Sequence, residues 1–278
     1  MTQTNNYHTA PEGLSESILL IEWQPQHCTA VWVNQAQNRV LQLQQIRLAK
    51  DPSSAIESIQ EWYQQLPPEW SLVRQVVIIH NHPGFTLLPA HAHSNTLGEK
   101  VLELTNGYAP RETVQNDVVN GWQVANYYRL PTDWLNKINK NWNSASVFHF
   151  SSLFLETTNK ETADENGLIR VCFSQQFFMV AVCRSNQLLL LQTYEYESPE
   201  DISYYLLSIC EQFGLDQEQV KLSLSGMIDQ QSALYSELEK YFVNREFENA
   251  GAWTWADGLL SELPDHYFSP LFQMAACV

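Results

Sequence analysis

Apolar residues in the first eighty positions follow two periods, which predict three strands, a helix and a further strand. The stretches 17–23, 27–33 and 39–48 are apolar or alternate apolar with polar residues, and the polar turns QPQ and NQAQN separate them. Residues 51–66 place apolar side chains at helical spacing after an Asp-Pro start, and 74–80 is again apolar. The pattern therefore predicts a three-stranded meander, then a helix, then a fourth strand.

The second part of the chain repeats this order without obvious sequence identity. Ser198 is a predicted helix N-cap followed by Pro199, and Gly214 is a predicted helix end. The predicted elements are strands at 168–174, 177–184, 188–196 and 219–226 and helices at 198–213 and 228–242. Two such copies predict an α/β protein built from two tandem ribonuclease H-like units.

The stretch between the two copies completes the first one. We predict a strand at 85–89, a helix at 96–107, a pair of strands around Asn-Gly within 113–130, a helix at 132–142 with Thr132 as N-cap, and a strand running into a helix at 144–157. The predicted domains are a flexible tail at 1–16, a first unit at 17–160 and a second unit at 161–278, with the break in the acidic stretch ETADEN.

Composition and charge limit the class of function. The 278-residue chain is 44% hydrophobic and carries a net charge of -16, which opposes binding to nucleic acid or to anionic lipid. It shows neither a secretory signal nor an apolar run of membrane-spanning length, so we expect a cytoplasmic protein without membrane insertion. Five cysteines without a CxxC motif are expected to be free thiols, four of them buried in apolar stretches (Cys28, Cys172, Cys183 and Cys210).

Several longer motifs carry a resemblance to a known family. The segments QTYEYESPEDISYYLLSICEQFGLDQEQVKLSLSG, FTLLP, DVVNGWQVANYYRLP and DHYFSPLFQMAAC resemble domain-of-unknown-function family 3822, an uncharacterised bacterial family with an actin-like ATPase fold. The resemblance covers nearly the whole chain and implies two ribonuclease H-like units in an actin-like ATPase arrangement. It implies no chemistry of its own. A more distant likeness is to actin-like proteins of pilus and secretion machinery.

The actin-like resemblance implies where a nucleotide would bind, and this sequence departs from the pattern there. In actin-like ATPases the first hairpin of each half is a phosphate loop, in which a Gly lets backbone N–H groups approach the phosphates and an Asp holds Mg²⁺ through water. Here Glu22 and Gln24 occupy those positions in the first hairpin, and Pro25 lacks an N–H. In the second hairpin Cys172 and Ser174 replace them. The loss of both glycines predicts a pseudo-ATPase without a cofactor.

The turn expected to contact adenosine keeps one glycine of a Gly-Gly pair, as Ser225-Gly226. Either this glycine serves the backbone of a turn before a helix, or it belongs to a retained adenosine pocket. If ATP with Mg²⁺ binds, the expected residues are Glu22, Gln24, Ser174, Ser225 and Gly226.

Four histidines form two HxH pairs, His80 with His82 and His91 with His93. HNHP resembles the start of a deubiquitinase-type metalloprotease motif, but His91 and Ser94 stand where that motif has Ser and Asp, so a zinc ligand is missing. A four-histidine metal site remains an alternative if the HPG turn folds one pair back onto the other. Otherwise the segment is the fourth strand, a turn and the fifth strand of the actin-like pattern, which is the interpretation that we favour.

Three hypotheses for function follow. The first is a non-catalytic scaffold or regulator that binds an unknown protein partner. The second is a nucleotide-binding protein with weak or no hydrolysis. The third is an enzyme of another kind, a kinase relative or a metallohydrolase, and the missing phosphate loop and the missing zinc ligand disfavour it.

Overall fold

The computed structural model describes residues 12–48, 52–142, 144–158, 164–256 and 264–278. These residues divide into two compact units. The first holds those up to Leu153 together with 252–256 and Val278, and the second holds 154–251 and 264–277. Residues 1–11 of the predicted tail and the predicted break between 160 and 161 lie outside the described residues. Within that tail, Leu14–Glu16 form a 3-10 helix in which Leu14 is buried.

The first unit is built on a six-stranded sheet of order β14-β3-β2-β1-β4-β8. Every residue of β1 is buried, as expected for an apolar run at the centre of a sheet. β1 pairs antiparallel with β2 and parallel with β4, and β4 pairs parallel with β8. The strands are β1 (Ile18–Trp23), β2 (His27–Asn34), β3 (Arg39–Arg47), β4 (Gln75–His80), β8 (Ser146–His149) and β14 (Thr254–Trp255).

The second unit is built on a five-stranded sheet of order β11-β10-β9-β12-β13. Its strands pack their apolar side chains against the helices of the same unit, in a core that includes Phe178, Leu206 and Phe242. The strands are β9 (Leu168–Phe173), β10 (Phe177–Arg184), β11 (Gln187–Glu195), β12 (Lys221–Gly226) and β13 (Arg245–Phe247).

Both sheets contain the same arrangement, which confirms the predicted duplication. In each unit three consecutive strands form an antiparallel meander. The first of these strands also pairs in parallel with a fourth strand, and the fourth pairs in parallel with a fifth. The helices are α1 (Pro52–Gln64), α2 (Pro68–Ser71), α3 (Asn95–Asn106), α4 (Thr132–Asn141), α5 (Phe150–Glu156), α6 (Pro199–Phe213), α7 (Ala233–Glu239) and α8 (Ser269–Ala275).

A separate three-stranded sheet lies within the first unit and corrects one prediction. Its order is β5-β7-β6, from β5 (Phe85–Pro89), β6 (Glu112–Val119) and β7 (Val124–Pro131), and α3 packs against it. We predicted that 85–89 is the fifth strand of the main sheet. The structure gives that position to β8, because β5 pairs with β7 instead.

Helix ends agree with the sequence in α6 and differ in two other helices. Ser198 caps α6 in a capping box with Asp201, and Gly214 ends it in the left-handed region. Thr132 is the first residue of α4 and its N-cap is Pro131, so the predicted cap is displaced by one position. The predicted helix 228–242 is only Ala233–Glu239, because Ser232 accepts the capping bond from the Tyr235 N–H.

Two further expectations concern thiols and membrane spans. Cys28, Cys172, Cys183 and Cys210 are buried, as predicted, Cys277 is exposed, and none of these five described cysteines forms a disulfide. In the described part of the chain, no helix combines the length and the apolar character needed to cross a membrane.

Candidate functional site

The first hairpin turn, between β1 and β2, is closed by its own hydrogen bonds. The Gln24 N–H donates to the His27 carbonyl at 2.9 Å, and Pro25 has no N–H to offer. Glu22 is buried just before the turn, and its Oε1 accepts hydrogen bonds from Asn81 Nδ2 at 2.7 Å and Gln24 Nε2 at 2.8 Å. Glu22 and Gln24 are thus brought together, but they bind each other and a neighbouring strand end.

Burial raises the pKa of the Glu22 carboxyl above its ordinary value, and the hydrogen bonds from Asn81 and Gln24 offset this only in part. A raised pKa favours the protonated, uncharged carboxyl. Burial therefore disfavours the charged carboxylate, which is the form that hydrated Mg²⁺ prefers as a ligand.

The second hairpin turn, between β9 and β10, is closed in the same way. The Ser174 N–H donates to the Phe177 carbonyl at 2.9 Å. The Ser174 carbonyl accepts a hydrogen bond from the Tyr196 hydroxyl at 2.7 Å. Since Ser174 is itself buried, its backbone polar groups are used within the unit.

Ser225 and Gly226 lie beside this turn, at the end of β12. The Ser225 hydroxyl donates to the Val171 carbonyl at 3.1 Å, which ties β12 to β9. Gly226 has φ of 78°, and a Cβ placed on it would lie 2.2 Å from the Phe173 carbonyl oxygen. The close approach of two strands therefore requires glycine here, whether or not a nucleotide binds.

The structure places the four predicted histidines differently from the metal-site alternative. His80 ends β4, and its ring stacks on that of His82 with centroids 5.6 Å apart. His91 lies in the 3-10 helix after β5, and His93 Nδ1 is 2.5 Å from the Tyr127 hydroxyl. The HPG segment does not fold one pair onto the other, because it leads into β5, whose five residues extend over roughly 16 Å.

The sequence interpretation missed His149, which joins His80 and His82 instead. β4 and β8 pair with His80 opposite His149, and the two rings are 5.5 Å apart. The sequence did offer a signal, because the strands that became β4 and β8 each end in histidine. The ends of parallel strands meet at one edge of a sheet, so the two histidines could have been expected to lie close together. Among the described residues, no group of three or more His, Cys, Asp or Glu is placed to hold a metal ion.

The buried histidines are held neutral. Burial, together with a smaller effect of the nearby His82 charge, lowers the pKa of His149 to about 3, and a hydrogen bond with the His82 backbone offsets part of this. Burial also lowers the pKa of His80 well below its ordinary value, with smaller contributions from His149 and His82. Two neutral imidazoles at this edge pack as polar aromatic rings rather than as charges.

A hydrogen-bonded network surrounds His149. Asp117 accepts from the Ser152 hydroxyl at 2.6 Å and from the His149 backbone N–H at 2.9 Å. The Ser151 hydroxyl and His149 Nδ1 are 2.6 Å apart. The residue types are those of a nucleophilic triad, but Asp117 contacts the backbone rather than the imidazole, and Ser151 is fully buried. The network therefore links β6, β8 and α5.

A cavity of about 600 Å³ opens beside this edge of the first unit. Apolar and aromatic groups line most of it, which is typical of small-molecule sites. Its charged lining groups are the Arg129 guanidinium and the Glu112 carboxylate. The complete lining is Trp23, Pro25, His80, His82, Pro83, Gly84, Leu102, Asn106, Ala109, Glu112, Arg129 and Pro131.

Comparison with solved structures shows the fold. A Bacteroides thetaiotaomicron protein with actin-like ATPase fold and unknown function superposes with a TM-score of 0.76 at 16% identity, covering 94% of this chain and 96% of that one. The PilM-PilN type IV pilus biogenesis complex matches with a TM-score of 0.60 at 12% identity, covering 93% of this chain and 97% of that one. The protein therefore has an actin-like ATPase fold.

Comparison of sequences shows the family. No curated protein sequence matches this chain. One family model matches residues 6–244, which is most of the length. The chain belongs to the family described as Protein of unknown function (DUF3822).

Proposed function

We propose that this protein is a non-catalytic member of the actin-like fold that acts by binding another protein. The observation that carries the proposal is the state of the two hairpin turns, at Gln24–His27 and Ser174–Phe177, which both close on their own backbone. In an actin-like ATPase these turns hold the phosphates of the nucleotide.

The residues at the expected nucleotide positions do not fit Mg-ATP. ATP hydrolysis requires donors that clamp the phosphates, a bound metal and a positioned water. Pro25 supplies no N–H, and Glu22 is a buried carboxyl of raised pKa bound to two amides. Ser225 and Gly226 are accounted for by the contact between β12 and β9.

Binding of a protein is supported by an apolar stripe on α3, which we define as the exposed Leu97 and Leu104 and the half-buried Val101 between them. The stripe ends beside Tyr108, just past the helix end. Leu104 is 85% exposed and Tyr108 78% exposed, whereas Gly98 and Leu102 on the opposite face are buried. Spacings of four and then three residues match the seam along which two helices pack. We infer that an amphipathic helix of a partner protein covers the stripe.

The fold is compatible with such a role. PilM, a structural neighbour of this chain, was solved in a complex with PilN. That complex indicates that an actin-like protein of this size can work as a binding partner, and the proposal extends this capacity to the present chain.

The absence of nucleotide binding is tested by thermal unfolding with and without millimolar Mg-ATP or Mg-ADP. A ligand that binds the native state raises Tm by mass action. We expect Tm to stay unchanged. A rise that depends on Mg²⁺ would contradict the proposal and would favour the alternative of a nucleotide-binding protein with weak or no hydrolysis.

The partner surface is tested by capture of binding proteins from extracts of the source organism. We expect Leu104→Glu to lose a specific partner that wild type retains. Leu72→Glu is the matched control, because Leu72 is another leucine of the first unit and is 65% exposed. Equal loss in both variants, or loss in neither, would contradict a role for the stripe. Light scattering of wild type and Leu104→Glu distinguishes a second copy of this chain from a different partner.

A further inference from the structure

The cavity in the first unit carries opposite charges on one wall. In the register of β6 and β7, Glu112 lies opposite Pro131 and Val114 opposite Arg129. Directly paired residues lie on the same face of a sheet, and alternate residues along a strand share that face. Glu112 and Arg129 are therefore diagonal neighbours on one face, and both line the cavity.

The cavity also meets two buried aromatic rings. Trp23 is 5% exposed and His80 is 4% exposed, and both line the cavity. Among the residues that the structure describes, neither Trp23 Nε1 nor His80 Nδ1 has a hydrogen-bond partner. The indole N–H is a donor only, and burial without an acceptor is unfavourable. Both nitrogen atoms are enclosed by the protein itself, so a ligand in the cavity contacts these rings through their carbon atoms.

Arg129 is positioned to bind that same ligand. Its Nη1 donates to the Gly107 carbonyl at 2.7 Å, which fixes the guanidinium against the loop after α3. The remaining N–H groups of the guanidinium form a rigid fork that suits a carboxylate. Such a fixed cation provides orientation as well as charge.

We propose that this cavity binds a free α-amino acid with an aromatic or large apolar side chain. Its carboxylate binds Arg129, and its ammonium binds Glu112. The side chain packs against the stacked rings of His80 and His82. This site does not depend on the proposed protein-binding function, and its lining includes Pro25 of the first hairpin turn.

The size and chemistry of the cavity agree with a small zwitterion. A volume of about 600 Å³ lies within the range of roughly 300–1,000 Å³ seen for small-molecule sites. A purely anionic ligand would bring a like charge to Glu112, and a purely cationic ligand would bring a like charge to Arg129. A zwitterion satisfies both groups.

The test is calorimetric titration of the full chain with L-phenylalanine, 3-phenylpropionate and phenethylamine at neutral pH and low salt. The second compound lacks the ammonium and the third lacks the carboxylate. We expect L-phenylalanine to bind at least about tenfold more tightly than either, because the loss of one charged contact weakens affinity by about that factor. Absence of binding by all three, or equal affinity for all three, would overturn the proposal.

Two variants make the assignment of groups specific. Arg129→Gln should weaken L-phenylalanine and 3-phenylpropionate about tenfold while leaving phenethylamine unchanged. Glu112→Gln should weaken L-phenylalanine and phenethylamine and leave 3-phenylpropionate unchanged. Arg111→Gln, which changes an exposed arginine outside the cavity, should bind all three like wild type. Wild-type affinities in both Arg129→Gln and Glu112→Gln would overturn the proposal. If Arg129→Gln fails to fold, Glu112→Gln decides alone, because Glu112 is exposed.

Discussion

Glu22 is a buried carboxyl whose proton is coupled to folding. Because its pKa is raised, the folded protein keeps a proton that the unfolded chain releases near its ordinary pKa of 4.5. Its contribution to stability is therefore fully present below that value and is lost as pH rises through the folded pKa. Each unit of the raised pKa is equivalent to about 1.4 kcal/mol.

We expect Glu22→Gln to raise the free energy of unfolding more at pH 8 than at pH 5. Glutamine keeps the Oε1 that accepts from Asn81 and Gln24 and carries no charge at either pH. Urea unfolding at the two pH values measures the difference. Glu61→Gln, at an exposed position of α1, is the control and should show no such pH dependence. A gain that is equal at both pH values would contradict the coupling.

Arg170 in the second unit forms a buried ion pair with Glu248, and side-chain exposures are 5% and 7%. Arg170 also donates to the Phe154 carbonyl at 2.7 Å and to Gln273 Oε1 at 2.7 Å. We expect Arg170→Met to lower the free energy of unfolding by about 3–5 kcal/mol, because Glu248 would be left as an uncompensated buried charge.

The matched control for Arg170→Met is Lys221→Met. Lys221 pairs with Glu246 at 2.8 Å, but the two side chains are 33% and 52% exposed. Removal of such a partly exposed pair changes stability by about 1 kcal/mol or less. Comparable losses in the two variants, measured by urea unfolding, would show that burial does not determine the strength of the Arg170 contact.

At the scale of single residues, the sequence predicted which groups are unusual better than it predicted their neighbours. The replacement of the phosphate-loop Asp by Glu22 was visible in the sequence, but its bonds to Asn81 depend on the parallel pairing of β1 and β4. His149 was missed for the same reason. Its role follows from a partner on another strand sixty-nine positions away, and no local pattern specifies that pairing.

Among the elements, α3 packs unusually close to its sheet. A Cβ on Gly98 would lie 2.1 Å from the ring of Tyr127, which is fully buried. Alanine normally stabilises a helix relative to glycine by about 0.5–1 kcal/mol. We expect Gly98→Ala to destabilise the protein by about 1–3 kcal/mol instead, since the helix must move away from β7.

Thr96→Ala tests whether the effect of Gly98→Ala comes from the clash. Thr96 lies two residues earlier in α3 and is exposed, so alanine should be neutral or slightly stabilising there. Thermal unfolding of both variants gives the comparison. A stabilising Gly98→Ala would show that α3 is not held against Tyr127.

Element boundaries were predictable where capping residues act locally. Ser198, Pro199 and Gly214 define α6 in the sequence and in the structure. The predicted helix at 228–242 was too long, because the Ser232 cap lies inside an apolar pattern that continues on both sides. The place of β5 was not predictable, since its length and composition suit either sheet and only the pairing with β7 assigns it.

The whole molecule is acidic, with a net charge of -16. We expect it not to bind nucleic acid, because phosphate contacts require a cluster of cations. Fluorescence anisotropy of labelled single- and double-stranded DNA, and retention on heparin, check this at about 0.15 M salt. Binding that weakens steeply with added salt would contradict the expectation and indicate a local basic surface.

Duplication was the most predictable property of the whole molecule. Two copies of one strand and helix order were readable from hydrophobic periodicity alone, and both sheets have that order. Fold and family follow from this pattern and from the motifs, whereas function does not. A duplicated scaffold accommodates many chemistries, and the groups that distinguish them lie in turns and strand ends.

Gly226 matches part of a nucleotide-binding turn, but backbone packing alone is enough to require glycine at this position. The Phe173 carbonyl occupies the space of a side chain at this position, so selection for a foldable second unit would retain glycine even in a lineage that had abandoned nucleotides. A remaining glycine in this turn therefore has little diagnostic value for ATP use among relatives. The identity of the residue at position 22 near the end of β1, and whether it ionises, is the more informative character for sorting such proteins.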